Sequence, residues 1–216
     1  GNLEIVSIAS VEQFGDPNVV VFDAVTGVTE FESAPFSTAA FWMELADIDE
    51  DGVVEIGVFS VDYMCILNGA SDTYDLQMEL DEARCFDFGD ILPETPGIEI
   101  IMCLGNNFAA DVYIYSGMTF TEVSSFSIPD AWTITGVEVA DVNADGTPEI
   151  LLKNEYTLMV FDSQGTPIWS GSMPGYSDIV TKKILVDDIN DDGVMEVLLG
   201  NDKAFYEYRY GEAVPI

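Results

Sequence analysis

Histidine is absent from the 216-residue sequence, and six lysines and arginines stand against 40 aspartates and glutamates, a formal net charge of −34. Without imidazole there can be no Ser-His-Asp or Cys-His nucleophile, no histidine general base and no metal site that depends on a ring nitrogen. The basic residues are Arg84, Lys153, Lys182, Lys183, Lys203 and Arg209. They are too few for a cationic patch, so the chain repels phosphate backbones and anionic headgroups, and nucleic acid is excluded as a partner. Long apolar runs are missing as well: none approaches the roughly 18 residues of a membrane span, and the N-terminus lacks the basic-then-apolar pattern of a signal peptide. The expectation is a soluble chain with neither membrane insertion nor signal peptide. The three cysteines, Cys65, Cys85 and Cys103, each sit in an apolar run without metal-ligand spacing. They read as small buried hydrophobes, with a Cys85–Cys103 cross-strand disulfide as the alternative.

What is present points to a folded core, because 48% of the residues are hydrophobic and 12% aromatic, far from the composition of a charged disordered chain. The main organisation is an internal repeat. Three segments align without gaps: Asp47-Ile-Asp-Glu-Asp-Gly-Val-Val-Glu-Ile56, Asp141-Val-Asn-Ala-Asp-Gly-Thr-Pro-Glu-Ile150 and Asp188-Ile-Asn-Asp-Asp-Gly-Val-Met-Glu-Val197. A degenerate fourth, Asp87 to Ile100, keeps the first Asp and the final Gly-x-Glu-Ile but has Gly89 and Ile91 where oxygen ligands should stand. Downstream of each loop an apolar pair runs into Asn, Asp or Ser and then Gly, as in Ile66-Leu-Asn-Gly69 and Ile114-Tyr-Ser-Gly117. That is hairpin-turn chemistry. Runs of five to eight residues rich in Val, Ile, Phe and Tyr separate these markers, and no amphipathic helix is evident.

Each module therefore reads as four short strands: A, acidic loop, B, C, hairpin, D. A four-stranded antiparallel unit recurring at 40, 54 and 47 residues is the pattern of a β-propeller blade, which cannot cover both its faces alone. The fold class expected is all-β, a propeller of about five blades. The modules run 1–37, 38–81, 82–129, 130–175 and 176–216 in a single domain. They supply B-C-D, then three times A-B-C-D, then A-B-C, as a small ring or as part of a larger one. Trp42, Trp132 and Trp169 are expected in the core. Tyr206, Tyr208 and Tyr210 alternate onto one strand face, where blade packing is expected.

In D-x-[DN]-x-D-G-x-x-E, positions 1, 3 and 5 project oxygens into a tight loop, Gly permits the turn, position 7 can offer its backbone carbonyl, and Glu at position 9 closes the shell. The candidate ligands are Asp47, Asp49, Asp51, Val53 and Glu55; Asp141, Asn143, Asp145, Thr147 and Glu149; and Asp188, Asn190, Asp192, Val194 and Glu196. Hard oxygen donors without nitrogen or sulfur suit Ca2+, and about three calcium sites are expected. The helix-flanked EF-hand is excluded, since position 12 holds Val58, Leu152 and Leu199 rather than a bidentate Glu.

On these motifs the chain resembles the FG-GAP or VCBS repeat of integrin alpha-chain propellers and microbial surface proteins. The resemblance implies Ca2+ bound between strands A and B through the carboxylate and amide residues just named. It implies a non-catalytic, extracellular or cell-surface module that presents loops to a protein or carbohydrate ligand in adhesion, or to neighbouring domains or subunits. Two alternatives stay open: a building block of a cell-surface assembly, and the propeller of a polysaccharide lyase or quinone-dependent enzyme. The ligand positions use ten of the acidic residues and leave thirty elsewhere, a solvated surface suited to salt or divalent cations.

Overall fold

The computed structural model describes residues 3–10, 16–36, 40–60, 63–70, 73–106, 109–129, 134–173, 180–201 and 205–209. Trp132 and Tyr210 lie outside them. The backbone falls into two compact units, Gly1–Ala83 and Arg84–Ile216. Every regular element among the described residues is a β-strand.

In the first unit, β1 (Glu4–Ser10), β2 (Pro17–Asp23) and β3 (Thr29–Glu32) form a three-stranded sheet in that order. A four-stranded sheet follows, from β4 (Ala40–Ala46), β5 (Glu55–Ser60), β6 (Tyr63–Ala70) and β7 (Thr73–Asp81). The second unit holds three sheets. One is β8 (Ala83–Gly89), β9 (Glu99–Asn106), β10 (Ala109–Ser116) and β11 (Glu122–Pro129); the next is β12 (Gly136–Ala140), β13 (Glu149–Lys153), β14 (Thr157–Phe161) and β15 (Pro167–Ser172). The last is β16 (Val180–Asp187), β17 (Glu196–Asn201) and β18 (Phe205–Arg209). Neighbours pair antiparallel in sequence order, as expected of hairpin-connected strands. Three strands, then three sets of four, then three, is the strand count read from the repeat.

Burial peaks in the inner strands β2, β5 and β13. All residues of β5 and β13 are buried, which is why Glu55-Ile-Gly-Val-Phe-Ser60 and Glu149-Ile-Leu-Leu-Lys153 read as apolar runs rather than alternating patterns. The last strands β3, β11 and β15 are mostly exposed and carry Ser, Thr, Glu and Pro. The first unit buries Val19, Val21, Ile56, Val58, Cys65 and Leu67 in one cluster. In the second unit, one cluster gathers around Cys85, Ile101, Cys103, Ile114, Ile150 and Leu152, and another around Leu151, Leu158, Val160, Leu199 and Tyr208. All three cysteines are buried free thiols. A hydrogen bond with the Cys85 thiol, and then burial, push Cys103 well above the usual thiol range. Tyr206 and Tyr208 are buried in packing, and Trp169 stacks edge-on against Tyr208 at 5.8 Å. Trp42 is partly buried and lies 6.5 Å from Phe59.

Two of the hairpin markers form Asp-capped turns, whereas Asn68 and Gly69 stay within β6, paired with Asp75 and Tyr74 of β7, because the strand runs on past them. Asp162 Oδ1 accepts the N–H groups of Gln164 (2.9 Å) and Thr166 (2.7 Å), and Asp23 Oδ1 accepts those of Val25 (3.0 Å) and Thr26 (2.5 Å). Gly27 and Gly165 supply the positive φ that follows, +70° and +77°.

Candidate metal sites in the acidic loops

Each of the three complete loops joins the first strand of its sheet to the second, and the backbone takes one shape in all three. Position 4 is left-handed in each: Glu50, Ala144 and Asp191 have φ of 59°, 58° and 59°. Gly52, Gly146 and Gly193 at position 6 follow at 88°, 91° and 83°, the region where a side chain is strained. The first Asp holds this turn shut. Asp47, Asp141 and Asp188 each accept the position-6 glycine N–H through Oδ2, at 3.1, 2.7 and 2.8 Å. Position 5 accepts the N–H of position 7 through Oδ1: Asp51 from Val53 at 2.8 Å, Asp145 from Thr147 at 2.9 Å and Asp192 from Val194 at 3.0 Å.

The position-9 glutamates, each the first residue of a buried strand, are themselves buried: Glu55 and Glu196 are 0% exposed and Glu149 4%. Each accepts the backbone N–H of position 2 through Oε2, from Ile48 (2.8 Å), Val142 (3.0 Å) and Ile189 (3.1 Å). The other carboxylate oxygen separates the loops. Asn143 and Asn190 at position 3 donate Nδ2–H to Oε1 of Glu149 and Glu196, at 2.7 and 3.0 Å. Asp49 has no N–H to donate there. Glu55 Oε1 instead accepts the Gly69 amide at 3.3 Å, and Asn68 Nδ2 donates to Asp49 Oδ2 at 3.3 Å. Burial, foremost, holds both Glu55 and Glu149 above the usual carboxylate range; nearby Asp49 and Asp51, or Asp145 and Asp141, push the same way against the amide donors.

Two sets of carboxylates converge among the described residues. Asp47, Asp49 and Glu55 bring one oxygen each within 4.8 Å of one another, and Asp141, Asp145 and Glu149 do the same. Such groups could hold a metal ion. Asp47 Oδ1 is a buried carboxylate oxygen without a hydrogen-bond partner, an arrangement that costs free energy unless a cation meets it. The donors at both sites are all oxygen, which fits Ca2+ and excludes a soft or imidazole-bound metal. The third loop does not converge to the same spacing. Arg209 Nη2 stands within it, 3.0 Å from Glu196 Oε1 and 3.2 Å from Asp192 Oδ2.

In the degenerate loop the same positions are satisfied without an ion. Glu99, 0% exposed, accepts the N–H groups of Ile91 and Leu92, both at 3.1 Å, and the Thr95 hydroxyl. Asp87 Oδ2 accepts the Val139 N–H at 2.7 Å, and a side chain at Gly89 would run into Val139. That carboxylate docks β12 rather than facing a loop centre. Sequence reading missed the reach of Asn68, Gly69 and Arg209 into these loops. The signal was in the strand register, which sets the end of the third strand opposite the loop glutamate.

The FG-GAP-like repeat family model matches residues 98–152, which run from β9 into β13 and take in the whole second loop. Over those residues the chain is similar to an FG-GAP-like repeat. Solved structures extend the likeness to the fold. Hsv2 of Kluyveromyces lactis is 10% identical over 98% of this chain and 59% of its own, with a TM-score of 0.67. BBS1N, solved in complex with ARL6DN, is 13% identical over 91% of this chain and 59% of its own, at 0.57. A rhamnogalacturonan lyase of Bacillus licheniformis is 14% identical over 88% of this chain and 49% of its own, at 0.55. All are β-propeller proteins, and this chain is an all-β propeller of four-stranded antiparallel blades, about five in number. It spans about half to three-fifths of the length of these three chains. Comparison with curated proteins found no match.

Proposed function

We propose that the chain is a calcium-stabilised, non-catalytic propeller module that works outside the cell or on its surface and presents its loops to a protein or glycan partner in adhesion. The observation that carries the calcium reading is the buried, unpartnered Asp47 Oδ1, set among carboxylates converging within 4.8 Å. Asp47, Asp49, Asp51 and Glu55 would hold one ion with the Val53 carbonyl. Asp141, Asn143, Asp145 and Glu149 would hold a second with the Thr147 carbonyl.

Calcium binding would contribute folding free energy, because it draws together charges that otherwise repel across a loop with two left-handed residues. An extracellular setting agrees with loops of this openness, since positions 5 and 6 are exposed and modules of such settings bind at roughly 10⁻⁴–10⁻³ M. The non-catalytic reading is supported by the shortage of cations. Lys183 pairs with Glu138 at 3.2 Å, Arg209 with the third loop, and Arg84 Nε with the Gly105 carbonyl at 3.1 Å, while Lys153 is 1% exposed. Uronate chemistry would need such groups facing a substrate. Thermal unfolding tests the proposal: the midpoint should rise with calcium and fall with chelator, and an unchanged midpoint would refute it.

A further inference from the structure

The end of the third strand reaches over the acidic loop in more than one sheet, and what stands there differs. In the sheet of β8 to β11, Ser116 pairs with Glu99; in that of β16 to β18, Arg209 pairs with Glu196. The registers Ile56↔Leu67 and Ile150↔Phe161 put Asn68 and Asp162 in the same place, one pair further on. So the residue opposite the loop glutamate is Asn, Ser or Asp in three sheets and Arg in the last.

One guanidinium nitrogen of Arg209 bridges the carboxylates of positions 5 and 9, Asp192 and Glu196, two oxygens that a calcium ion in this loop would have to share. Asn190 Nδ2 occupies the remaining side of Glu196 Oε1. Glu196 is fully buried, and an arginine stays charged throughout the accessible pH range, so the pair supplies a permanent cation where burial makes an unpaired carboxylate costly. A divalent ion would have to expel that cation into solvent and overcome its repulsion.

We infer that Arg209 is a tethered counter-ion that takes the place of calcium in the loop from Asp188 to Glu196, leaving two loops of the three open to metal. The inference rests on reading those two as calcium sites, and a count of bound ions separates the two ideas. Equilibrium dialysis of the full chain against calcium should give about two ions per chain, and about three for Arg209→Gln. Arg209→Lys, which keeps the charge, should stay at the native count. A native count of three, or no gain in Arg209→Gln, overturns the inference while leaving the calcium reading intact. No ions in the native chain but one in Arg209→Gln would sink the calcium reading of the first two loops and leave the role of Arg209 standing. No ions in either protein would sink both. In chelator, Arg209→Gln should melt below the native chain, and calcium should restore it; if the variant is unfolded in chelator and calcium fails to refold it, the inference is also overturned.

Discussion

Converting the first loop to the chemistry of the second isolates the electrostatic balance on which metal binding depends. Asp49→Asn removes one of four ligand carboxylates and places an amide where Asn143 donates to Glu149 at 2.7 Å. Two unit charges 4.8 Å apart, the outer limit of the cluster, repel by about 3.5 kcal/mol at an effective dielectric of about 20. Asp49 is only partly buried, and screening reduces that to about 1–2 kcal/mol. A new hydrogen bond to the buried Glu55 carboxylate is worth about 1.5–3 kcal/mol, offset by the loss of the Asn68 contact to Asp49. Without metal the variant should therefore be more stable than the native chain by about 2 kcal/mol. In saturating calcium that advantage should largely disappear, because losing a charged ligand weakens the site by about 10–100-fold, or about 1.4–2.8 kcal/mol. Urea unfolding in excess chelator and in excess calcium reads both differences. A variant that shifts stability equally in the two conditions would show that Asp49 does not contribute to metal binding.

Two further substitutions test the loop geometry and the core. Gly146→Ala meets no atom within 4 Å but sits at φ +91°, so it should cost about 1–2 kcal/mol through backbone strain alone in urea unfolding, and a neutral result would contradict the left-handed turn. Burial holds Lys153 down at about 8, below its ordinary 10.5. Between those values the unfolded chain carries more protons than the folded one, so stability should rise with pH across that window. Lys153→Met should stabilise the chain at neutral pH by about 1–3 kcal/mol and lose that advantage near pH 10, as followed by urea unfolding at both pH values.

Much of the architecture was legible because its signals are local. The gap-free Asp-x-[Asp/Asn]-x-Asp-Gly loops, the Asn/Asp/Ser-Gly hairpins and the apolar runs between them place each strand without knowledge of its neighbours. The bent backbone at Gly52, Gly146 and Gly193 follows directly from the motif. What was not legible lies in pairing across strands. The residues read only as ligands, Glu55, Glu149 and Glu196, also take the position-2 amide, so each ties its loop to the sheet as well as closing a shell. Asp87 belongs to a motif that looks merely eroded, yet its carboxylate and the bare Gly89 admit Val139 of the following sheet. Arg209 sits only 13 residues beyond Glu196, but its meaning depends on the β17–β18 register that sets them opposite.

If the loops starting at Asp47 and Asp141 hold calcium, anomalous difference density from crystals grown with calcium should show one peak among Asp47, Asp49 and Glu55 and another among Asp141, Asp145 and Glu149. Well-ordered loops with no peak at either position, at calcium concentrations above the millimolar range, would contradict the proposal.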